Sequence, residues 1–149
     1  MYRSGFATTE EAYTKAVKQL FASLDRAEKH LATTEGPFYF GKNITEADVR
    51  LYTTIVRFDA VYVQHFKTNI RDIRSGYPHL HKWVRHLYWN VPAFGETTEF
   101  THIKCHYTKS HTQVSLSTRM LLGAFANEVV DQSFQHHACW PRASDIEGR

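Results

Sequence analysis

The side chains of this chain best suited to chemistry are two cysteines, ten histidines and a large share of aromatic residues, 14% of 149. Cys105 and Cys139 show no spacing typical of a zinc site or a redox pair. A reactive thiol needs an electropositive setting, and neither position indicates one. We therefore predict that both cysteines are unreactive.

His102 and His106 lie four residues apart and would share one helix face. That spacing can hold a metal ion, but no carboxylate or cysteine accompanies it at metal-ligand spacing. We interpret the pair as a solvated surface and predict no metal site.

Charged and polar groups also interrupt an apolar stretch that extends from Leu51 to Phe66. Arg57, Asp59 and His65 lie within it. They are candidates for an active-site wall. Because buried charges must be paired, we favour a buried polar network, or contacts to another domain, over that role.

The elements that position these groups are helices. Apolar residues recur at helical spacing after Thr8, and Thr8 with Glu11 matches a capping box at the start of the first helix. Gly36 and Pro37 mark its end. The apolar stretch described above is expected to form one continuous helix in the centre of a bundle, because it is apolar on nearly every side.

The start of that central helix carries the clearest local signal. Thr45 is predicted as the N-cap, with Asp48 three residues later to return the hydrogen bond. Ile44 and Val49 are spaced as the hydrophobic staple that accompanies such a box. The four residues predict a helix that begins directly after Thr45.

Two further helices follow. Pro78 suits the first turn of one, which Val91 and Pro92 should end. The other is predicted from Phe94 to about Tyr107. No alternation typical of strands is present, so the fold class is all-α, a helical bundle.

The overall composition excludes several classes of function. The formal net charge is +3 with both signs interspersed, which does not indicate a nucleic-acid-binding surface. No run approaches the roughly 18 apolar residues of a membrane-spanning helix, and the N-terminus is too polar for a signal peptide. Low cysteine content fits a reducing compartment. We predict a cytoplasmic protein that binds neither nucleic acid nor membranes.

Beyond these patterns, several stretches together resemble the C-terminal helical domain of glutathionyl-hydroquinone reductases, the Xi-class glutathione transferases. The likeness covers residues 1 to about 113. The stretches that carry it are residues 2–8 (YRSGFAT), 45–51 (TEADVRL), 56–67 (VRFDAVYVQHFK), 87–92 (LYWNVP) and 102–111 (HIKCHYTKSH).

The resemblance implies a glutathione-dependent reduction of glutathionylated hydroquinones, with glutathione as the co-substrate. The nucleophile in this family is a cysteine of an N-terminal thioredoxin-like domain. We expect that domain to be absent from this chain, which would then be the substrate-binding half and inactive alone. The alternative is a non-catalytic protein-interaction domain of the glutathione-transferase type. The family usually forms homodimers through this half.

The resemblance also implies site residues. Tyr2 and Tyr107 match two tyrosines that contact the aromatic substrate and stabilise charge on the leaving group. The helical spacing alone would make both tyrosines packing residues of the core, but the resemblance to the family favours contact with the substrate. Arg57 is a third candidate for substrate binding. From about Val114 the chain departs from the family's closing segment, and residues 114–149 are predicted to be a divergent, poorly ordered tail.

Overall fold

The computed structural model describes residues 1–110, and within them the regular elements are helices. The predicted all-α class is therefore confirmed. Cys139 and the predicted tail over 114–149 lie outside the described residues, as does the domain boundary near residue 113. The elements are α1 (Tyr2–Gly5), α2 (Glu10–Thr33), α3 (Glu46–Arg57), a π-helical turn (Phe58–Tyr62), α4 (Val63–His65), α5 (Ile73–Gly76), α6 (Pro78–Asn90), α7 (Pro92–Glu96) and α8 (Phe100–Ser110).

Helix α2 begins one residue later than predicted. Its N-cap is Thr9, whose hydroxyl accepts a hydrogen bond from the Ala12 backbone N–H at 3.2 Å. The predicted capping box of Thr8 and Glu11 was thus wrong. Thr9 has the extended backbone of an N-cap, with φ −128° and ψ 152°, so its hydroxyl is the one that reaches the first turn.

Helix α3 begins directly after Thr45, as predicted, and its capping box is confirmed. One oxygen of Asp48 accepts from both the backbone N–H and the hydroxyl of Thr45, each at 2.9 Å. Ile44 and Val49, the predicted staple, both line one apolar groove and are 46% and 48% exposed.

The carboxylate of Asp48 also joins distant parts of the chain. Its other oxygen accepts from the Tyr39 backbone N–H at 2.7 Å and from the Trp83 indole N–H at 3.0 Å. Asp48 is fully buried. Burial favours the neutral acid, but the hydrogen bonds from Tyr39, Trp83 and Thr45 outweigh it and hold the pKa of Asp48 below its usual value. This carboxylate therefore ties α3 to α6 and to the loop before α3.

The central stretch is not one regular helix. After Arg57 the backbone passes through the π-helical turn before it returns to α-helix at Val63. A π turn holds more residues per turn than an α-helix, so it changes the direction of the side chains that follow. The prediction of a continuous α-helix was wrong here, although the predicted burial of the stretch is correct.

Asp59, in the π turn, holds the start of a short helix that the sequence did not predict. Its carboxylate accepts from the backbone N–H groups of Ile73 and Arg74 at 2.7 and 3.0 Å. Asp72, the N-cap of that helix, accepts from the Ser75 N–H at 2.6 Å. Two carboxylates thus satisfy the first turn of α5, where the helix dipole also favours negative charge.

Helix α6 has the predicted limits, with Pro78 in its first turn and Asn90 at its end. Proline has no N–H to leave unsatisfied in that turn. Glu28 of α2 accepts from the next two backbone N–H groups, those of His79 and Leu80, at 2.8 Å each. A side chain from another helix thus caps α6.

The predicted helix from Phe94 to Tyr107 is interrupted and forms α7 and α8. At the break the Thr98 hydroxyl donates to the Phe94 carbonyl at 2.7 Å and lies 2.9 Å from the Tyr52 hydroxyl. The Glu99 carboxylate then accepts from the Thr101 N–H at 2.9 Å. These side-chain hydrogen bonds replace helical ones, because Thr and Glu side chains can satisfy backbone groups near a helix end.

The core lies around α3 and the π turn. Helix α3 packs against α6, α6 also packs against α2 and α5, and α8 packs against the π turn. The largest fully buried side chains are aromatic and aliphatic residues in these elements or at helix ends beside them: Tyr77, Phe58, Phe66, Ile55, Ile73, Leu80 and Leu87. Within residues 1–110, no helix is both long and apolar enough to cross a lipid bilayer.

Candidate functional site

Three tyrosine hydroxyls form a hydrogen-bonded chain, which we call the tyrosine cluster. The hydroxyl oxygens of Tyr2 and Tyr107 are 2.8 Å apart, and those of Tyr107 and Tyr62 are 3.0 Å apart. The structure therefore brings together Tyr2 and Tyr107, the two candidates that lie 105 positions apart in the sequence. Tyr62 joins them, although sequence reasoning did not place it in the site.

One phenylalanine holds the three rings in place. Phe66 is fully buried, and its ring centroid lies 4.8 Å from that of Tyr2, 5.3 Å from Tyr62 and 5.9 Å from Tyr107. The contacts with Tyr2 and Tyr107 are inclined or edge-on, while that with Tyr62 is stacked. Such aromatic contacts stabilise beyond the area they bury, so the cluster depends on the correct position of Phe66.

Each tyrosine comes from a different element. Tyr107 lies on α8 and Tyr62 is the last residue of the π turn; both are buried, at 5% and 4% exposure. Tyr2 begins α1 and keeps 45% of its surface exposed. The cluster thus reaches from the core to the surface at Tyr2.

Gly5 allows α1 to approach Phe66 closely. A Cβ atom at position 5 would lie 2.1 Å from Phe66 Cδ1, inside any normal contact distance. Only a residue without a side chain therefore fits between α1 and this ring.

We predict that Gly5→Ala displaces Tyr2 from the cluster and lowers the free energy of unfolding by about 1–3 kcal/mol, as overpacking of a core does. Chemical denaturation measures the stability. Gly76→Ala is the matched control, because its added Cβ would meet only side-chain carbons of exposed Arg71, at 3.0 Å or more. Equal losses of stability in the two variants would contradict the role assigned to Gly5.

The phenols of the cluster remain neutral well above physiological pH. Burial raises the pKa of Tyr2 and of Tyr107 to about 12, and the hydrogen bonds among the three hydroxyls act on these two groups in both directions. Burial raises the pKa of Tyr62 as well. The charge of Arg57 opposes these shifts at all three tyrosines. At neutral pH the cluster therefore offers protons to a group that gains negative charge.

A cavity of about 490 Å³ opens beside the cluster. Tyr62 and Tyr107 form part of its wall, and Arg57 lies in the same wall. Within residues 1–110 the rest of its lining comes from α3 and α8 and consists of Thr53, Thr54, His102, Ile103 and His106. Its volume falls within the range of about 300–1,000 Å³ that small-molecule sites occupy.

The three polar residues of the central stretch have different positions. Arg57 is half-buried in the cavity wall, where its guanidinium donates to the Thr53 carbonyl. Asp59 binds the start of α5, as described above. His65 is fully buried, with its ring 4.9 Å from Phe66 and 5.6 Å from Tyr107 between centroids. Asp59 thus fits the structural role that we favoured, whereas Arg57 faces the candidate site.

The remaining candidate residues, two histidines and a cysteine, lie near the cavity but form neither a metal site nor a second reactive site within residues 1–110. His102 and His106 both line the cavity, yet no group of three or more histidine, cysteine or acidic side chains within residues 1–110 is placed to hold a metal. Cys105 is a half-buried free thiol on α8 and does not line the cavity. No thiol among residues 1–110 therefore faces the tyrosine hydroxyls.

Comparison with known proteins agrees with this architecture. The sequence profile of the family described as glutathione S-transferase, C-terminal domain, matches residues 10–86. Glutathione S-transferase omega-like 2 of Schizosaccharomyces pombe is 62% identical over 115 residues, which are 77% of this chain and 37% of that protein. Glutathionyl-hydroquinone reductase YqjG of Escherichia coli is 44% identical over 115 residues, 77% of this chain and 34% of that protein.

Solved structures agree in fold as well as in sequence. The crystal structure of glutathione-S-transferase Xi from Phanerochaete chrysosporium matches with a TM-score of 0.74 and 56% identity, over 78% of this chain and 37% of that one. The glutathione-bound structure of YqjG from Escherichia coli matches with a TM-score of 0.72 and 44% identity, over 78% of this chain and 37% of that one. The chain thus spans little more than a third of the length of these relatives. It belongs to the glutathione S-transferase family, and residues 1–110 form the C-terminal helical domain of an Xi-class, omega-like member.

Proposed function

We propose that this chain is the substrate-binding part of a glutathionyl-hydroquinone reductase, in which Tyr2 and Tyr107 contact the aromatic ring of a glutathionylated hydroquinone. The observation that carries the proposal is the 2.8 Å hydrogen bond between these two hydroxyls, beside a cavity of suitable size that Tyr107 lines and Tyr2 does not. Arg57 lies in the wall of that cavity and would bind the same substrate. Two relatives named glutathionyl-hydroquinone reductases support the assignment.

The reaction would proceed by thiolate attack on the thioether sulfur of the substrate. The carbon–sulfur bond breaks, a disulfide forms between the attacking cysteine and glutathione, and the ring carbon takes a proton. A second glutathione then releases glutathione disulfide and restores the thiol. Tyr107 donates a hydrogen bond to the leaving hydroquinone, where negative charge develops. Tyr2 acts as the hydrogen-bond partner of Tyr107.

The attacking thiol belongs, in this proposal, to a thioredoxin-like domain outside the described residues. Cys105, the cysteine of residues 1–110, does not line the cavity, so this helical domain by itself is expected to show no activity. Glutathione, the co-substrate, would be bound mainly by that other domain. We expect the full protein to act as a cytoplasmic homodimer.

A fusion tests the proposal. The part of the Schizosaccharomyces pombe relative that precedes the matched region would be joined to this chain, and release of hydroquinone from its glutathione conjugate would be followed by chromatography. The fusion should be active, while neither half should be active alone. A folded, glutathione-binding fusion with no activity would contradict the proposal.

The alternative is a non-catalytic protein-interaction domain of the glutathione-transferase type. An apolar groove of about 560 Å³ between α3, α7 and α8 favours it, since the exposed Ile44 and Val49 lie there. The fusion experiment distinguishes the two functions, because a domain that only binds other proteins is not expected to restore turnover.

A further inference from the structure

We infer that the cavity beside the tyrosine cluster selects an aromatic ligand with a negatively charged substituent, such as a carboxylate, whose ring hydroxyl meets the tyrosines. This inference rests on the proposed function and narrows its substrate class. Arg57 would bind the anion, and the exposed His102 and His106 would line the side from which it enters.

Apart from the tyrosines, the ionisable side chains of residues 1–110 that line the cavity are all nitrogen bases. Within residues 1–110, Arg57, His102 and His106 are the ionisable nitrogen groups of the wall, and no aspartate or glutamate of this part of the chain lines the cavity. Glu99 lies in the neighbouring apolar groove, which Arg57 also lines, but it does not line this cavity, and its carboxylate accepts from the Thr101 N–H. An anion in the cavity would therefore meet a fixed positive charge and no lining carboxylate.

The guanidinium of Arg57 has N–H donors available to bind a ligand. Within residues 1–110 its guanidinium donates one hydrogen bond, from Nη1 to the Thr53 carbonyl, and a guanidinium carries five N–H donors. The two ion pairs found within residues 1–110 join Arg50 to Glu46 and Arg71 to Asp25. Arg57 therefore has no carboxylate partner in this part of the chain.

The nearby acids are engaged elsewhere. Asp59 follows Arg57 by two positions, but its carboxylate accepts from the backbone N–H groups of Ile73 and Arg74. Glu46 pairs with Arg50 on exposed surface. Neither carboxylate neutralises Arg57, so its charge acts on the cavity.

The same charge reaches the tyrosine hydroxyls. Arg57 lines the same cavity as Tyr62 and Tyr107, and its charge favours the ionised form of all three tyrosines of the cluster. One ligand with a hydroxyl at one end and a carboxylate at the other could thus contact both groups. A guanidinium suits a carboxylate because both are planar and can form two parallel hydrogen bonds.

Two small phenols test the inference on the 149-residue chain itself. Para-hydroxycinnamate and para-hydroxycinnamide have the same ring and length but differ in charge, and calorimetric titration measures the affinity of each. The carboxylate should bind about tenfold tighter than the amide, because hydrogen bonds to charged groups are the stronger ones. Arg57→Gln should remove that difference.

Arg50→Gln is the matched control, since it lies on the same helix, is exposed and pairs with Glu46. It should leave the preference for the carboxylate unchanged. Equal binding of the two ligands, no binding of either, or loss of the preference in the control would each overturn the inference. If the amide binds and Tyr107→Phe weakens it, the tyrosine site of the proposed function stands even when the preference for anions fails.

Discussion

Replacing Asp48 with alanine is expected to lower the free energy of unfolding by about 3–5 kcal/mol, comparable to removing one partner of a buried ion pair. The carboxylate is fully buried and accepts from the Tyr39 N–H, the Trp83 indole, and both the backbone N–H and hydroxyl of Thr45. Each buried donor left without an acceptor costs about 1–3 kcal/mol, although water that enters the space would recover part of this.

Urea denaturation followed by circular dichroism measures the effect. Glu46→Ala is the matched control, because Glu46 is an acid in the first turn of the same helix but its side chain is 75% exposed. The control should lose less than about 1 kcal/mol, as exposed ion pairs do. A similarly small loss for Asp48→Ala would show that these hydrogen bonds do not hold α3 in place.

Asparagine at position 48 should give an intermediate result. Oδ1 of Asp48 accepts hydrogen bonds from Tyr39 and Trp83, whereas Oδ2 accepts those from Thr45. An asparagine oxygen can replace Oδ1, but its amide nitrogen would then face the Thr45 N–H, donor against donor. Roughly half of the stabilisation should therefore remain, and a loss as large as that of alanine would contradict this division.

The same residue sets a dependence on pH. Hydrogen bonding holds the pKa of Asp48 lower in the folded state than the value of about 3.9 expected when unfolded. Its stabilising effect is therefore complete above the unfolded pKa and is lost as the pH falls through the folded one. The gap in stability between wild type and Asp48→Ala should be constant from neutral pH to about 5 and shrink below about 4.

Removing the hydroxyl of Tyr107 is expected to lower kcat/KM of the active fusion about 10²- to 10³-fold, the effect of losing one donor to a developing negative charge. Tyr107 is the central member of the cluster, bonded to both Tyr2 and Tyr62. Phenylalanine keeps the ring contacts with Phe66 and Tyr62, so the variant should still fold, although loss of the hydrogen bond to the buried Tyr62 hydroxyl should lower its stability by about 1–3 kcal/mol. Steady-state turnover of a glutathionylated hydroquinone measures the change.

Tyr77→Phe is the matched control for this variant. Tyr77 is also a buried tyrosine, 1% exposed, and its hydroxyl donates to Asp25 at 3.2 Å, but it does not line the cavity. It should lose some stability and keep its kcat. If both variants reduced kcat equally, the effect of Tyr107 would be one of folding rather than of charge stabilisation.

The sequence by itself determined the features that local rules encode. Helical spacing of apolar residues and the absence of strand alternation predicted the all-α class. The capping box at Thr45 and Asp48 and the proline at position 78 placed the starts of α3 and α6 correctly. Each of these signals acts within a few residues, through caps and the 3.6-residue period. Tyr2 and Tyr107 became candidates only through resemblance to a family.

The tertiary structure alone decided how the site is assembled. The π turn that directs Tyr62 to Tyr107 has no signature in the sequence, and the bond from Trp83 to Asp48 joins residues 35 positions apart. The break between α7 and α8 involves the hydroxyl of Tyr52, 46 positions from Thr98. Such groups meet because a folded chain satisfies nearly all of its buried polar atoms, and which partner satisfies each one depends on how the helices pack.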